Sequence, residues 1–399
     1  MLQPAYSTLR ISKMKKIISV FSLFLIIGFG LLYISDYSYL LDAVSKTYLT
    51  GHKTAFLSDY NYFDNQTLPP SEKPQPWPLH QEYNKLELTK KQEQLVAENQ
   101  TVALLLIKND SIVFEKYYED YGKDSKSNSF SMVKSYVAAL LGKAIMDGAI
   151  KSLDQPVVDF FPTLKGPYAQ QLTVGDLASM ASGQQWDESY YSPTSVTTAA
   201  YFVKDLDKLI LDQPITEEPG KSYRYKSGTT QLLGMVIAKA TGKNLTDYLY
   251  ESFWSPMGAE YEALWQIDSK ENGREKAYCC LASNARDFAR LAKLYKNHGL
   301  WNGQRLLDSS FIAKSLTPRF KESPQYGYSW WLKNDEEKTV FMNRGHLGQY
   351  VITFPQEDLI FVRLGHSKGP RGDKDDPFTP DIYTYMKIAL ELNSNVGKN

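Results

Sequence analysis

Little in this 399-residue chain points to metal or redox chemistry. It has two cysteines, and they are neighbours, Cys279 and Cys280. That excludes a disulfide framework and a cysteine-rich zinc site. The pair is expected as two packed thiols rather than as a strained vicinal disulfide. Five scattered histidines and no His-Glu-x-x-His argue against a metalloenzyme, so neither metal nor cofactor is expected. Charge of one sign is also missing. Lys and Arg total 45, Asp and Glu total 45, and the formal net charge is zero. With no long basic run, nucleic acid is not an expected partner. The Gly-x-Ser-x-Gly elbow of α/β-hydrolases is absent, and no internal repeat is visible.

Long apolar runs are scarce too, with one exception. Residues 17–34 carry no charge over 18 positions, close to the ~20 that span a bilayer. Arg10, Lys13, Lys15 and Lys16 precede the run, and Asp36 and Asp42 follow it. This asymmetry puts residues 1–16 in the cytoplasm and everything downstream outside, which is the periplasmic face of the inner membrane if the source is bacterial. No small-x-small cleavage site follows directly, so a retained anchor is favoured over a removed signal. Residues 35–81 are expected to be an extended spacer. Five prolines fall within residues 64–78, which rules out a regular helix or a central strand there.

The folded part is expected over 82–395. Thr101–Ile107 and Ile112–Tyr118 flank Asn109-Asp110 and read as a β-hairpin. Thr173 to Asp176 has capping-box spacing before a short helix. Ala199–Leu211, Thr230–Thr241 and Asn284–Asn297 are helical in pattern, the last capped by Ser283. Thr339–Met342, Gln349–Phe354 and Leu359–Leu364 read as strands, and Asp381–Leu392 as a closing helix. Strands at both ends and helices between them indicate an α+β fold. The hairpin and the late strands share one antiparallel sheet flanked by helices, with a mostly helical lobe on one side.

The chemistry starts at Ser131. Apolar residues recur at helical spacing from Met132 to Ile145, so Ser131 and Lys134 share one face of a helix's first turn. A serine hydroxyl attacks only when a base takes its proton. A lysine serves only if burial and the helix dipole bring its pKa down toward neutrality. Ser-x-x-Lys is a weak pattern, and Ser12 to Lys15 matches it as well. Two further stretches add to it. Tyr225, in Glu218-Pro219-Gly220-Lys-Ser-Tyr-Arg-Tyr225-Lys226-Ser227, precedes a helix and can relay a proton if held near Lys134. Arg344-Gly345-His346-Leu347-Gly348-Gln349 opens a strand where glycines admit a substrate. The backbone N–H groups of Ser131 and Gln349 are the candidate oxyanion hole.

Ser-x-x-Lys, then Tyr-x-Ser, then His-x-Gly, in that order, resembles the serine β-lactamase and penicillin-binding-protein superfamily. Within its class C-like branch, the chain is most similar to the 6-aminohexanoate-dimer hydrolase and esterase group. Supporting matches are Ser152-Leu-Asp-Gln-Pro156, Leu172-Thr-Val-Gly-Asp-Leu177 with Ser182-Gly183, Gln231-Leu-Leu-Gly234, Ala285-Arg-Asp-Phe-Ala-Arg-Leu291 and Tyr326-Gly-Tyr-Ser-Trp-Trp331. The resemblance implies a β-lactamase/transpeptidase-like fold. It also implies a metal-free serine hydrolase that is acylated on Ser131, with Lys134 as general base and Tyr225 assisting the leaving group. Ser227 stands where many members carry Asn, and His346-Leu347-Gly348 where drug-hydrolysing members carry Lys-Thr-Gly. Antibiotic hydrolysis is therefore the less favoured activity. Trp186, Asp187, Tyr190, Ser227, His346 and Gly348 are the expected substrate contacts, for a small molecule or short peptide. A penicillin-interacting D,D-peptidase or β-lactamase, and a non-catalytic binding protein on the same fold, are the alternatives.

Overall fold

The computed structural model describes residues 5–335 and 338–398. Its centre is a six-stranded antiparallel sheet. Across it the strands run Ser111–Tyr117, Thr101–Lys108, Leu359–Gly365, Gln349–Phe354, Lys338–Gly345 and Trp331–Asp335. The N-terminal hairpin turns on Asn109 (φ 47°) and Asp110 (φ 58°). Two successive positive φ values make the tight turn whose twist suits a hairpin, and Asn and Asp tolerate them. The strand Leu359–Gly365 then pairs with Thr101–Lys108, which closes the two ends of the chain into one sheet.

Both faces of this sheet are covered, and so the central strands are apolar without alternation. Leu104, Leu106, Ile352 and Phe361 pack toward Ile382, Tyr385 and Ile388 of the closing helix Pro380–Asn395. Leu105, Ile107, Val351 and Val362 face the other way, toward Phe288 and Leu291 of the helix Ala285–Lys296. That second core continues into the helical lobe, where the helices Val133–Met146 and Ser227–Thr241 pack together.

Three local expectations need correction. The stretch 199–211 is two helices, Val196–Phe202 and Leu206–Leu211, because Val203 is extended and the Asp205 side chain caps the second at Lys208 N–H (2.9 Å). Asn284, not Ser283, caps the helix Ala285–Lys296, while Ser283 ends the strand Leu281–Ser283. Cys279 and Cys280 are joined as a disulfide, not held as packed thiols. Cys280 takes φ 78°, so the chain bends where the two side chains meet.

The largest correction concerns residues 35–81. They are not an extended spacer. The helix Tyr39–Lys46 lays Tyr39 and Ala43 against Ala199 and Phe202. The strand Asn65–Leu68 pairs with Ala263–Gln266 in a second, four-stranded sheet that also holds Leu281–Ser283 and Ser127–Asn128. Leu57, Leu68 and Trp77 are buried. The prolines do forbid helix from Pro69 to Pro78, but an irregular strap can still bury its apolar side chains. Ahead of this strap, the helix Ala5–Tyr33 contains a stretch, Met14–Tyr33, long and apolar enough to cross a membrane.

Candidate active site

The four-stranded sheet sets the entry to the site. Ser127 and Asn128 pair with Ser283 and Ala282, and Ser129 N–H donates to Leu281 O (2.8 Å). Phe130 then takes φ 45°, a costly conformation for a bulky residue. It is held there because its N–H donates to Asn128 Oδ1 (2.8 Å), while Asn128 Nδ2 donates to the buried Asp59 carboxylate (2.8 Å). Asp59 also accepts from Tyr201 (2.6 Å) and Gln266 (2.9 Å). The strap thus braces the turn Phe130–Met132, in which Ser131 sits one turn before the helix Val133–Met146.

Lys134 is 1% exposed, and its three polar neighbours fix its geometry. Its Nζ lies 2.7 Å from Tyr278 O, 3.3 Å from Ser227 Oγ and 3.0 Å from Ser131 Oγ. Tyr278 O can only accept. Ser227 Oγ donates its own hydrogen to Glu188 Oε1 (2.6 Å), so toward Lys134 it also accepts. A neutral amine has two hydrogens and one lone pair. With both hydrogens committed, the lone pair is left for the Ser131 hydroxyl. Burial lowers the Lys134 pKa to about 8, against the opposing pull of the Glu188 carboxylate.

Tyr225 completes the group. Its ring centroid is 5.1 Å from Lys134 Nζ, and Ser131 lies near enough to favour its ionised form slightly against burial. Burial, with Tyr326 and Glu188 beside it, raises its pKa well above the usual tyrosine range, so it remains a protonated donor. The Pro-Gly loop that carries it is stitched down by Gly220 N–H to Ala181 O (2.8 Å) and Arg224 N–H to Met180 O (2.7 Å).

The opposite wall comes from the strand Lys338–Gly345 and the turn after it. A Cβ on Gly345 would stand 2.2 Å from Ser129 O, so only glycine allows the strand this close to the turn Phe130–Met132. Leu347 (φ 60°) and Gly348 (φ 81°) form the turn. Arg363, fully buried, donates to Leu347 O (3.0 Å), Gly348 O (2.7 Å) and Ser367 O (2.8 Å). Gln349 starts the next strand, with its side-chain Nε2 donating to Gly365 O (2.7 Å) and His346 O (3.1 Å). His346 packs edge-on to Phe130 (5.6 Å) and face-to-face with Tyr190 (5.7 Å). Burial, then the Lys368 charge, lowers its pKa to about 4, which keeps it neutral.

Ser131, Lys134, Tyr225, Ser227, His346, Gly348, Gln349 and Tyr190 are therefore brought together. Two expected contacts are not. Trp186 packs its ring on Gly228 and donates Nε1 to Thr197 Oγ1 (2.8 Å), so it props the start of the helix Ser227–Thr241 instead of facing a substrate. Asp187 is exposed, and its carboxylate accepts from Ser189 N–H of its own loop (3.0 Å). The carboxylate that enters the site is its neighbour, Glu188, which also accepts from Ser227 N–H (2.6 Å) and Tyr190 OH (2.5 Å). Nothing in the loop sequence separates the two acids. Arg363 did leave a signal, as a lone charge inside the apolar run Leu-Ile-Phe-Val-Arg-Leu.

The sequence profile of the Beta-lactamase family matches residues 88–382. The chain belongs to that family. It is a serine hydrolase of the β-lactamase and penicillin-binding-protein superfamily. Among curated relatives, the 6-aminohexanoate-dimer hydrolase of Paenarthrobacter ureafaciens is 23% identical over 300 residues, covering 70% of this chain and 76% of that one. A putative D-alanyl-D-alanine carboxypeptidase of Escherichia coli K12 is 22% identical, covering 69% and 80%. Among solved structures, a putative 6-aminohexanoate-dimer hydrolase from Bacillus anthracis superposes with a TM-score of 0.68 at 19% identity, covering 92% of this chain and 96% of that one. At that identity the superposition speaks for the β-lactamase fold, with its antiparallel sheet flanked by helices.

Proposed function

We propose that this family member cleaves an amide or ester bond through an acyl-enzyme on Ser131, at the outer face of a membrane to which its N-terminal helix anchors it. The observation that carries the reading is the contact of Lys134 Nζ with Ser131 Oγ (3.0 Å), with the other two directions of the amine already committed. Neutral Lys134 takes the Ser131 proton as Oγ attacks the carbonyl carbon. The N–H groups of Ser131 and Gln349 receive the developing oxyanion. Tyr225, held protonated, delivers a proton to the departing nitrogen or oxygen. Water then attacks the acyl carbon by the same route in reverse and restores Ser131.

The relatives support an amidase-like hydrolase. For the anchor, support comes from the apolar stretch Met14–Tyr33 with basic residues before it. The test of the chemistry is kinetic. Ser131→Ala should lower kcat on a p-nitrophenyl ester at least about 10³-fold with the thermal transition unchanged. Tyr225→Phe should slow an anilide more than a nitrophenyl ester, because only the poorer leaving group needs the proton. Wild-type turnover by Ser131→Ala would contradict the assignment.

A further inference from the structure

A cavity of about 980 Å³ runs from the nucleophile to the N-terminal helix. Ser131, Ser227 and Tyr278 lie at its inner end, and Phe29 and Leu32 of the helix Ala5–Tyr33 line the other. Leu41 and Val44 of the helix Tyr39–Lys46 and Tyr191 wall it between. That volume is at the top of the range for small-molecule sites. Its lining is mainly apolar, which suits an apolar chain and penalises a polar substrate left without partners.

Phe29 and Leu32 belong to the bilayer-length stretch Met14–Tyr33, so the outer end of the cavity is built by the same helix that would anchor the chain. Beyond the end of the apolar helix, Ile34 (79%), Tyr37 (50%), Val44 (47%), Tyr48 (62%) and Leu49 (79%) are all exposed. Isolated exposed apolar residues are ordinary, but several that follow a bilayer-length helix directly in the chain suit a membrane surface. Tyrosines among them match the belt that sits at headgroup depth. The cavity reaches Ser131 itself, so an apolar chain bound in it would run straight to the scissile carbonyl.

We propose that the substrate is a membrane-dissolved amphiphile whose long acyl chain lies in this cavity. It would enter from the outer leaflet, with its ester or amide carbonyl at Ser131. The proposal rests on the hydrolase reading above. Ser131 Oγ bonds the acyl carbon, the C–O or C–N bond breaks, and the polar leaving group departs with a proton toward Tyr225. Water then cleaves the acyl-serine, giving a fatty acid and free Ser131.

The test uses the full chain in lipid nanodiscs and p-nitrophenyl esters that differ only in the acyl group, butyrate against decanoate. Each buried methylene is worth about 0.8 kcal/mol, about fourfold, so six methylenes that are only partly buried should still raise kcat/KM at least about 30-fold. Val44→Lys places a charge in the cavity at a site already open to solvent. It should lower the decanoate-to-butyrate ratio at least about fivefold. A flat or falling chain-length profile, or a ratio untouched by Val44→Lys, would overturn the proposal. If a fluorophosphonate still labels Ser131 in that case, the hydrolase reading survives. Absence of both labelling and ester turnover in folded protein would overturn both.

Discussion

The amine of Lys134 has to be neutral before it can accept the Ser131 proton, and burial brings its pKa only to about 8. Activity should therefore rise with pH through a limb near 8, measured as kcat/KM between pH 6 and 9.5. His346, with a pKa near 4, should add no second limb in that range. The Glu188 carboxylate holds the lysine pKa up, so Glu188→Gln should move the limb to lower pH; a limb that stays in place would argue that another group titrates. The same burial has a cost in stability. Lys134 in the unfolded chain binds its proton up to the ordinary lysine pKa of 10.5, whereas the folded chain releases it near 8. Between those values the unfolded state holds more protons, so stability should climb as pH rises above 8. Lys276, buried against Phe63 and Tyr201 with a pKa lowered to about 7, contributes in the same direction from a lower pH. Urea melts from pH 7 to 9.5 check this, and Lys134→Met should reduce the slope above 8 to the part that Lys276 supplies.

At the level of elements, the site depends on how closely the strand Lys338–Gly345 approaches the turn Phe130–Met132. Gly345→Ala puts a carbon 2.2 Å from Ser129 O, and backbone cannot yield as a side chain can. The variant should lose about 1–3 kcal/mol of stability, and kcat should fall more than tenfold as Gln349 N–H moves away from the acyl carbonyl. Undisturbed kcat would mean that this strand does not shape the reacting site. Much at this scale was legible beforehand. The Asn109-Asp110 turn, the late strands, and the capping box at Thr173, whose oxygen accepts from Asp176 N–H, all follow from local rules. So did the grouping of Ser131, Lys134 and Tyr225, through three spaced motifs. Other features lacked a local signal. Choosing Glu188 over Asp187 depends on which way an irregular loop turns, and Trp186 is diverted by Gly228, 42 residues further along the chain. The Cys279–Cys280 disulfide depends on a backbone bend that composition does not reveal.

On the scale of the whole molecule, the proline-rich strap departs furthest from what local rules predict. Proline excludes regular structure, but it does not stop Leu57, Leu68 and Trp77 from being buried or Asp59 from bracing Asn128. Removing residues 1–81 would leave Tyr201, Asn128 and Gln266 without their shared carboxylate and strand Ala263–Gln266 without its edge partner. A chain starting at Glu82 should therefore lack a cooperative thermal transition, while one starting at Asp36 should melt as a unit. Scanning calorimetry of the two decides this. Such bracing links the strap that follows the apolar N-terminal helix to the turn Phe130–Met132, and the apolar cavity follows the same line. The most direct test of the whole arrangement is intact-mass spectrometry and peptide mapping of the full chain in detergent after exposure to a fluorophosphonate, with penicillin in parallel. A single phosphonyl group on Ser131, lost in Ser131→Ala and formed faster as pH rises toward 8, is the expected result, with or without a penicillin adduct. No adduct on folded protein, or an adduct on a different serine, would contradict an activated Ser131.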